Sequence, residues 1–120
     1  TPATKGILNL GLFRKLSTSG RHERLPGPVL INAGRGGLQV EADILSALDD
    51  GSLYAASLDV FETEPLPSDS PLWEHEHIVI TPHNAAESAN ESITRYFLRQ
   101  IERLESGQPL ENVVDPKIGY

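Results

Sequence analysis

Apolar and polar residues alternate along this chain in blocks whose period switches between that of a helix and that of a buried strand. Asn9 is suited to cap a short helix over Leu10–Leu16, where Leu10, Phe13 and Leu16 form a narrow apolar stripe. Ser17 to Gly27 is polar and broken by Gly and Pro, which predicts a loop. Val29 to Ala33 is an apolar run interrupted only by Asn32, the pattern of a parallel strand buried on both faces. Gly34, Gly36 and Gly37 turn the chain. Glu41 to Asp50 then reads as a helix with Ile44, Leu45 and Leu48 inward and Gly51 at its end. Leu53 to Val60 reads as a second buried strand. The proline-rich stretch Glu62 to Pro71 reads as a loop, since proline cannot donate to a sheet. Ile78 to Thr81 is a third short strand, stopped by Pro82. The last helix is expected at about residues 87–106, with Ile93, Phe97, Ile101 and Leu104 at helical spacing and Gly107 and Pro109 ending it. An extended, irregular tail to Tyr120 follows.

Strands alternating with helices imply the α/β class, a parallel sheet with flanking helices. In such sheets ligands bind beyond the carboxyl ends of the strands. Arg35, Asp59, Glu64 and His83 all fall at or just past those ends. Arginine can grip a carboxylate through two parallel hydrogen bonds. Histidine can move a proton near neutral pH, and a carboxylate beside it favours its charged form. The three together suit the oxidation or reduction of a small acid. Asp59 lies inside the apolar run LDVF, so burial would demand donors for it, from a neighbouring loop or from a ligand amide. The glycines before and after Arg35 leave room for another molecule to approach the backbone.

Other residues say less. His75 and His77 could share a face of an extended chain, but no third metal ligand is evident, and a solvated turn is expected. Trp73 is expected to pack its loop against the sheet. His22 has no assigned role.

With 120 residues, the chain has room for one small domain. It carries 17 Asp and Glu against 10 Lys and Arg, which disfavours nucleic acid and anionic membranes as partners. There is no cysteine, so disulfides and thiolate metal sites are excluded. No apolar run approaches the roughly 20 residues of a membrane span. The start, TPATKGILNL, shows no signal-peptide pattern and lacks Met, as a partial chain would. A cytoplasmic location is the expectation.

Four segments occur in a specific order: Thr4-Lys5-Gly6-Ile7-Leu8-Asn9, Asn32 to Gly37 (N-x-G/A-R-G-G), Leu58 to Pro65 (L-D-V-F-x-x-E-P) and Thr81 to His83 (T-P-H). In that order and spacing the chain resembles the C-terminal part of the D-isomer-specific 2-hydroxyacid dehydrogenases, most closely the glyoxylate/hydroxypyruvate reductase branch. The resemblance implies the second half of a Rossmann-type dinucleotide-binding domain, incomplete, over residues 1–120. It implies NAD or NADP as cofactor and a 2-oxo or 2-hydroxy acid as substrate, in a homo-oligomer. Arg35 would hold the substrate carboxylate, His83 would carry the proton and Glu64 would pair with His83. Asp59 would meet the nicotinamide carboxamide; Ala33, Gly34, Arg35, His83, Ala85 and Ala86 would line the cofactor. No G-x-G-x-x-G fingerprint occurs within these 120 residues. The isolated chain is therefore expected to be inactive, and a catalytically inactive interaction module is the alternative. The loop from Ser17 to Gly27 looks longer than the family's usual connection.

Overall fold

The computed structural model describes residues 1–16, 19, 20, 22–86 and 89–117. Two compact units result: Thr4–Ala85, and Thr1–Ala3 with Ala86–Tyr120. The first holds a three-stranded parallel sheet in the order β1 (Val29–Asn32), β2 (Ala55–Leu58), β3 (Ile78–Ile80). Helices α1 (Leu10–Phe13) and α2 (Glu41–Asp49) belong to the same unit.

Helix α1 starts where the sequence says it should, because Asn9 Oδ1 accepts the Leu12 N–H at 3.1 Å. It is shorter than expected: the stretch after Phe13 turns rather than continuing to Leu16. The Leu10 N–H is taken by Asp43 Oδ2 at 3.0 Å, which ties α1 to the first turn of α2. Helix α2 buries Ile44, Ala47 and Leu48, and Gly51 leaves it with a φ of +79°, a conformation that favours glycine. The loop expected at Ser17–Gly27 includes Ser17, Thr18 and Arg21, which lie outside the described residues.

The register aligns Leu30, Ala56 and Ile78 across the sheet, and Asn32, Leu58 and Ile80 one step on. These residues make the inner face. They pack with Phe13, Ile44, Ala47, Leu48, Leu53, Phe61 and Leu72 into one core. Each large side chain buried there contributes about 1.5–3 kcal/mol. The opposite face carries Val29 and Ala55, then Ile31, Ser57 and Val79 in register. Ile31 is 73% exposed and Val79 61%. The expectation of a strand buried on both faces is thus wrong for β1, and β3 is open on the same face. An apolar run is compatible with double burial but does not supply the second cover. Here the β2–β3 connection contributes only a 3-10 turn at Pro71–Trp73 and irregular loop, not a second α-helix.

That turn also corrects the expectation for Trp73. Leu72 enters the core, while Trp73 stays half-exposed and its Nε1–H donates to the Pro67 carbonyl at 2.8 Å. Through that bond Trp73 ties the loop to itself. The His77 ring lies 5.3 Å from that of Tyr54, and His75 Nε2 stands 3.8 Å from Asp49.

The second unit is built on α3 (Asn90–Glu105), a 16-residue helix ended by Gly107 at φ +68°. The expected first residues, Glu87 and Ser88, lie outside the described residues. The chain after α3 is irregular, but it turns back along the helix. Arg103 Nε–H donates to the Pro109 carbonyl, the Tyr96 hydroxyl to the Glu111 carbonyl, and Arg99 pairs with the Glu111 carboxylate at 3.0 Å. Ile93, Phe97, Ile101 and Leu104 have the helical spacing expected of them and remain exposed.

Candidate active site

Three loops leave the carboxyl ends of the three parallel strands. The first follows β1. Asn32, the polar interruption of that strand, is buried, and its side chain organises the turn: Oδ1 accepts the Gly34 N–H at 3.1 Å, and Nδ2 donates to the Arg35 carbonyl at 3.2 Å. Nδ2 also donates to Gln39 Oε1 at 2.7 Å, and Gln39 Nε2 donates in turn to the Val60 carbonyl at 3.0 Å. Arg35 stands in extended backbone with an exposed side chain, whose Nη1 donates to the Gly34 carbonyl at 2.7 Å. A guanidinium has five N–H donors, so this contact leaves most of its fork available.

The glycines divide by purpose. A Cβ on Gly36 would stand 1.8 Å from the Phe61 carbonyl oxygen. Gly36 is therefore required by the second loop, which packs directly on it. A Cβ on Gly34 would make only ordinary contacts, and one on Gly37 would meet nothing within 4 Å. The crowding at this turn thus comes from the protein's own backbone at Gly36, where the sequence suggested room for a ligand.

The second loop runs from Asp59. It is held at the N-terminus of α2 by a reciprocal pair: the Glu41 N–H donates to Glu62 Oε1 and the Glu62 N–H to Glu41 Oε1, both at 2.7 Å. Glu64 Oε1 accepts the Phe61 N–H at 3.0 Å, which turns its other oxygen outward. That oxygen, Oε2, lies 2.7 Å from His83 Nδ1. The hydrogen bond from His83 holds the Glu64 carboxyl below the usual glutamate range, helped by the Phe61 N–H and by the nearby positive charges of His83 and Arg35. The pair is partly open to solvent, so it is screened but accessible.

The third loop carries His83 itself, at φ +52°, an uncommon conformation for a residue other than glycine. Buried Asp59 holds it there. Its Oδ1 accepts from the Thr81 hydroxyl and from the Asn84 N–H at 3.0 Å, and its Oδ2 accepts from the Ala85 N–H at 3.0 Å. One carboxylate thereby holds the Thr81 side chain before His83 and the backbone after it. The Thr81 hydroxyl is the main reason that the Asp59 carboxyl sits below its ordinary range, and the two backbone amides add to it. The requirement for donors foreseen for a buried aspartate is met by the neighbouring loop. Oδ1 takes two of these donors and Oδ2 one, so Oδ2 retains a lone pair for a further N–H.

Glu64 and His83 are thus in direct contact, and Arg35 is close enough for its charge to act on Glu64. An unrelated anion-binding protein would not require that contact. A cavity of about 610 Å³ opens beside the pair, walled by Phe61, Leu66, Trp73 and Ile80. Ala33, Gly34 and Ala85 are exposed at the loop tips; Ala86 begins the other unit. Sequence reasoning missed Gln39. Its only signal is a polar side chain between Leu38 and Val40, which reads as easily as a surface position.

Residues 1–85 match the family described as D-isomer specific 2-hydroxyacid dehydrogenase, NAD binding domain. Over all 120 residues the chain is 46% identical to glyoxylate/hydroxypyruvate reductase A of Serratia proteamaculans (strain 568) and 42% identical to that of Escherichia fergusonii. It spans 36% of the length of each. Among solved structures it is similar to the NADPH-dependent glyoxylate/hydroxypyruvate reductase of Sinorhizobium meliloti in complex with NADP and sulfate. That likeness has a TM-score of 0.90 and 53% identity, and covers 100% of this chain and 37% of the other. A probable 2-hydroxyacid dehydrogenase from Rhizobium etli CFN 42, in complex with NADP, HEPES and L(+)-tartaric acid, gives 0.84 and 52% with the same coverage.

Proposed function

The chain belongs to the D-isomer specific 2-hydroxyacid dehydrogenase family, and on that premise we propose that it forms the C-terminal part of an NAD(P)H-dependent reductase of small 2-oxo acids, of the glyoxylate or hydroxypyruvate class. The observation that supports this most is the His83–Glu64 contact at 2.7 Å, past the carboxyl ends of parallel strands and within electrostatic reach of Arg35. The names of the relatives, glyoxylate/hydroxypyruvate reductases and NADP complexes among them, point the same way.

The residues present fit a nicotinamide. Asp59 Oδ2 has capacity for the carboxamide N–H, and Ala33, Gly34, Arg35, His83 and Ala85 of the same unit supply the surrounding wall. The cofactor, when bound, supplies the hydride. Everything else falls to this chain. Arg35 binds the substrate carboxylate with its free N–H donors and draws electron density from the adjacent carbonyl. His83 Nδ1 is engaged by Glu64, so Nε2 is the atom that gives a proton to the carbonyl oxygen during reduction and takes it back during oxidation. Glu64 fixes the ring's direction and offsets the charge of the imidazolium. Asp59 keeps the His83 loop in place.

The test is a chimera that joins this chain to the remaining part of the Serratia proteamaculans reductase. The expected result is NADPH-dependent reduction of glyoxylate or hydroxypyruvate, lost on His83→Gln and strongly weakened in KM by Arg35→Gln. A folded chimera that binds NADPH yet reduces neither acid would refute the reading. The uncovered sheet face with Ile31 and Val79 favours a second reading, in which the isolated chain acts only by associating with another polypeptide. An inactive chimera, together with self-association of the chain in size-exclusion chromatography, would favour it.

A further inference from the structure

The loops of the site are joined by groups that the proposed reaction does not use. Asn32 and Gln39 are 4% and 2% exposed, two side-chain amides buried beside the apolar core. Burying amides carries a desolvation cost that only hydrogen bonds offset. A satisfied buried polar pair specifies one geometry where apolar side chains of the same volume would tolerate several. Here the geometry is that of two loops. Asn32 grips the turn on either side of Arg35, through the Gly34 N–H and the Arg35 carbonyl. Gln39 takes the other proton of Asn32 and passes on to the Val60 carbonyl. The next residue is Phe61, whose N–H orients Glu64 and whose carbonyl lies against Gly36.

We propose that Gln39 is a positioning residue, whose side-chain amide, with that of Asn32, spans from the Arg35 turn to the Glu64 loop and sets where the guanidinium stands relative to the His83–Glu64 pair before any ligand arrives. Gln39 touches no substrate and acts through Asn32 and the Val60 carbonyl. Its importance for catalysis rests on the reading of Arg35, Glu64 and His83 given above, whereas the measurement below does not. An apolar filler of equal size would satisfy packing alone, so a near-isosteric Met separates the two roles.

The experiment is NMR on the isotopically labelled 120-residue chain. The Phe61 N–H is bonded to Glu64 Oε1, so its chemical shift reports the titration of that carboxyl. Two cationic side chains face Glu64, His83 from the third loop and Arg35 from the first. In Gln39→Met the sheet amides should keep their pattern, while the midpoint seen at Phe61 rises as the Arg35 charge drifts away. Arg35→Gln should raise the same midpoint, and adding Gln39→Met to it should change little, because both act through one charge. An unchanged midpoint in Gln39→Met, or shifts that simply add, would overturn the proposal. Should Gln39→Met fail to fold, the unsubstituted chain decides. The Gln39 side-chain amide protons should exchange with solvent at least about ten-fold more slowly than those of an exposed glutamine. Exchange at the exposed rate overturns the proposal. A chimera without reductase activity would sink the functional reading and leave these titrations as they are.

Discussion

Gly36 and Gly37 are adjacent in sequence, yet replacing them with alanine should have opposite effects. A Cβ on Gly36 would stand 1.8 Å from the Phe61 carbonyl oxygen, 2.1 Å from its carbon and 2.8 Å from the Glu62 nitrogen. Carbon and oxygen approach to about 3.3 Å without repulsion, so one of the two loops must retreat by roughly 1.5 Å. The obstacle is backbone and has no rotamer to change. It is also held from both sides, by the Glu41–Glu62 pair and by the bond from Gln39 to the Val60 carbonyl. Overpacking costs about 1–3 kcal/mol where side chains can shift, and a fixed backbone puts Gly36→Ala at about 3 kcal/mol or above. That is a large share of the roughly 5–15 kcal/mol that holds a domain together. At Gly37 nothing lies within 4 Å and the φ is not in the left-handed region, so alanine only restricts the unfolded chain. Gly37→Ala should be neutral or stabilising by about 0.4–1 kcal/mol. Urea unfolding of the two variants, followed by circular dichroism, compares the midpoints directly. A Gly36→Ala variant as stable as the parent, or a Gly37→Ala variant equally damaged, would show that the close approach of the two loops does not exist.

Further outcomes follow from the same loops. The Asp59 and Glu64 carboxyls are both lowered in the folded chain, so the unfolded chain binds more protons in acid. Their contribution is complete above the unfolded values near pH 4 and disappears as pH falls through the lower folded ones. Stability of the parent should therefore decline from about pH 4.5 downward, and Asp59→Asn should flatten that decline in acid-unfolding curves; equal slopes would contradict the assignment. Asp59→Ala should speed hydrogen exchange at the Asn84 and Ala85 amides by at least about ten-fold while sparing β1 and β2; unchanged exchange at those two amides would mean that the carboxylate does not hold the His83 loop. The isolated chain should bind NADPH weakly, with no saturation in the micromolar range, because a pyrophosphate is held by a glycine loop and helix N-terminus that these residues do not contain. Calorimetric binding at micromolar affinity would refute this.

The elements whose periodicity is carried by apolar spacing were legible in the chain to within a few residues, α2 and β3 among them. So was the placement of Arg35, Asp59, Glu64 and His83 beyond strand ends, since a parallel sheet delivers its loops to one edge. What could not be read is whatever depends on a second surface. Ile31 and Val79 look like core residues because β-branched side chains are chosen for strand and core alike, and no local signal says whether a layer covers them. Trp73 and Leu72 are neighbours of similar hydrophobicity, and only the 3-10 turn decides which one goes inside. Gly36 and Gly37 are the same letter with different duties, because the distinction lies in Phe61, 25 positions away by number. Gln39 belongs to this class too, since its bonds reach Asn32 and the Val60 carbonyl across the sheet edge.

Among the described residues, the bonds that aim His83 and those that join the Arg35 turn to the Glu64 loop lie between Asn32 and Ala85, in a continuous stretch of chain, while Gly6 and Leu8 fasten the end of the first loop from outside it. The consequence is one of inheritance. A segment that carries the bonds holding its own His83–Glu64 pair can be transferred between genes as a cassette, because recombination outside it breaks none of the described bonds that aim His83. Substitutions elsewhere in a host polypeptide can then accumulate without disturbing this pair. Conversely, drift inside the stretch is coupled. A change at Asn32 must be answered at Gln39, and one at Glu41 at Glu62, so these positions should vary in pairs across descendants of the same ancestral segment.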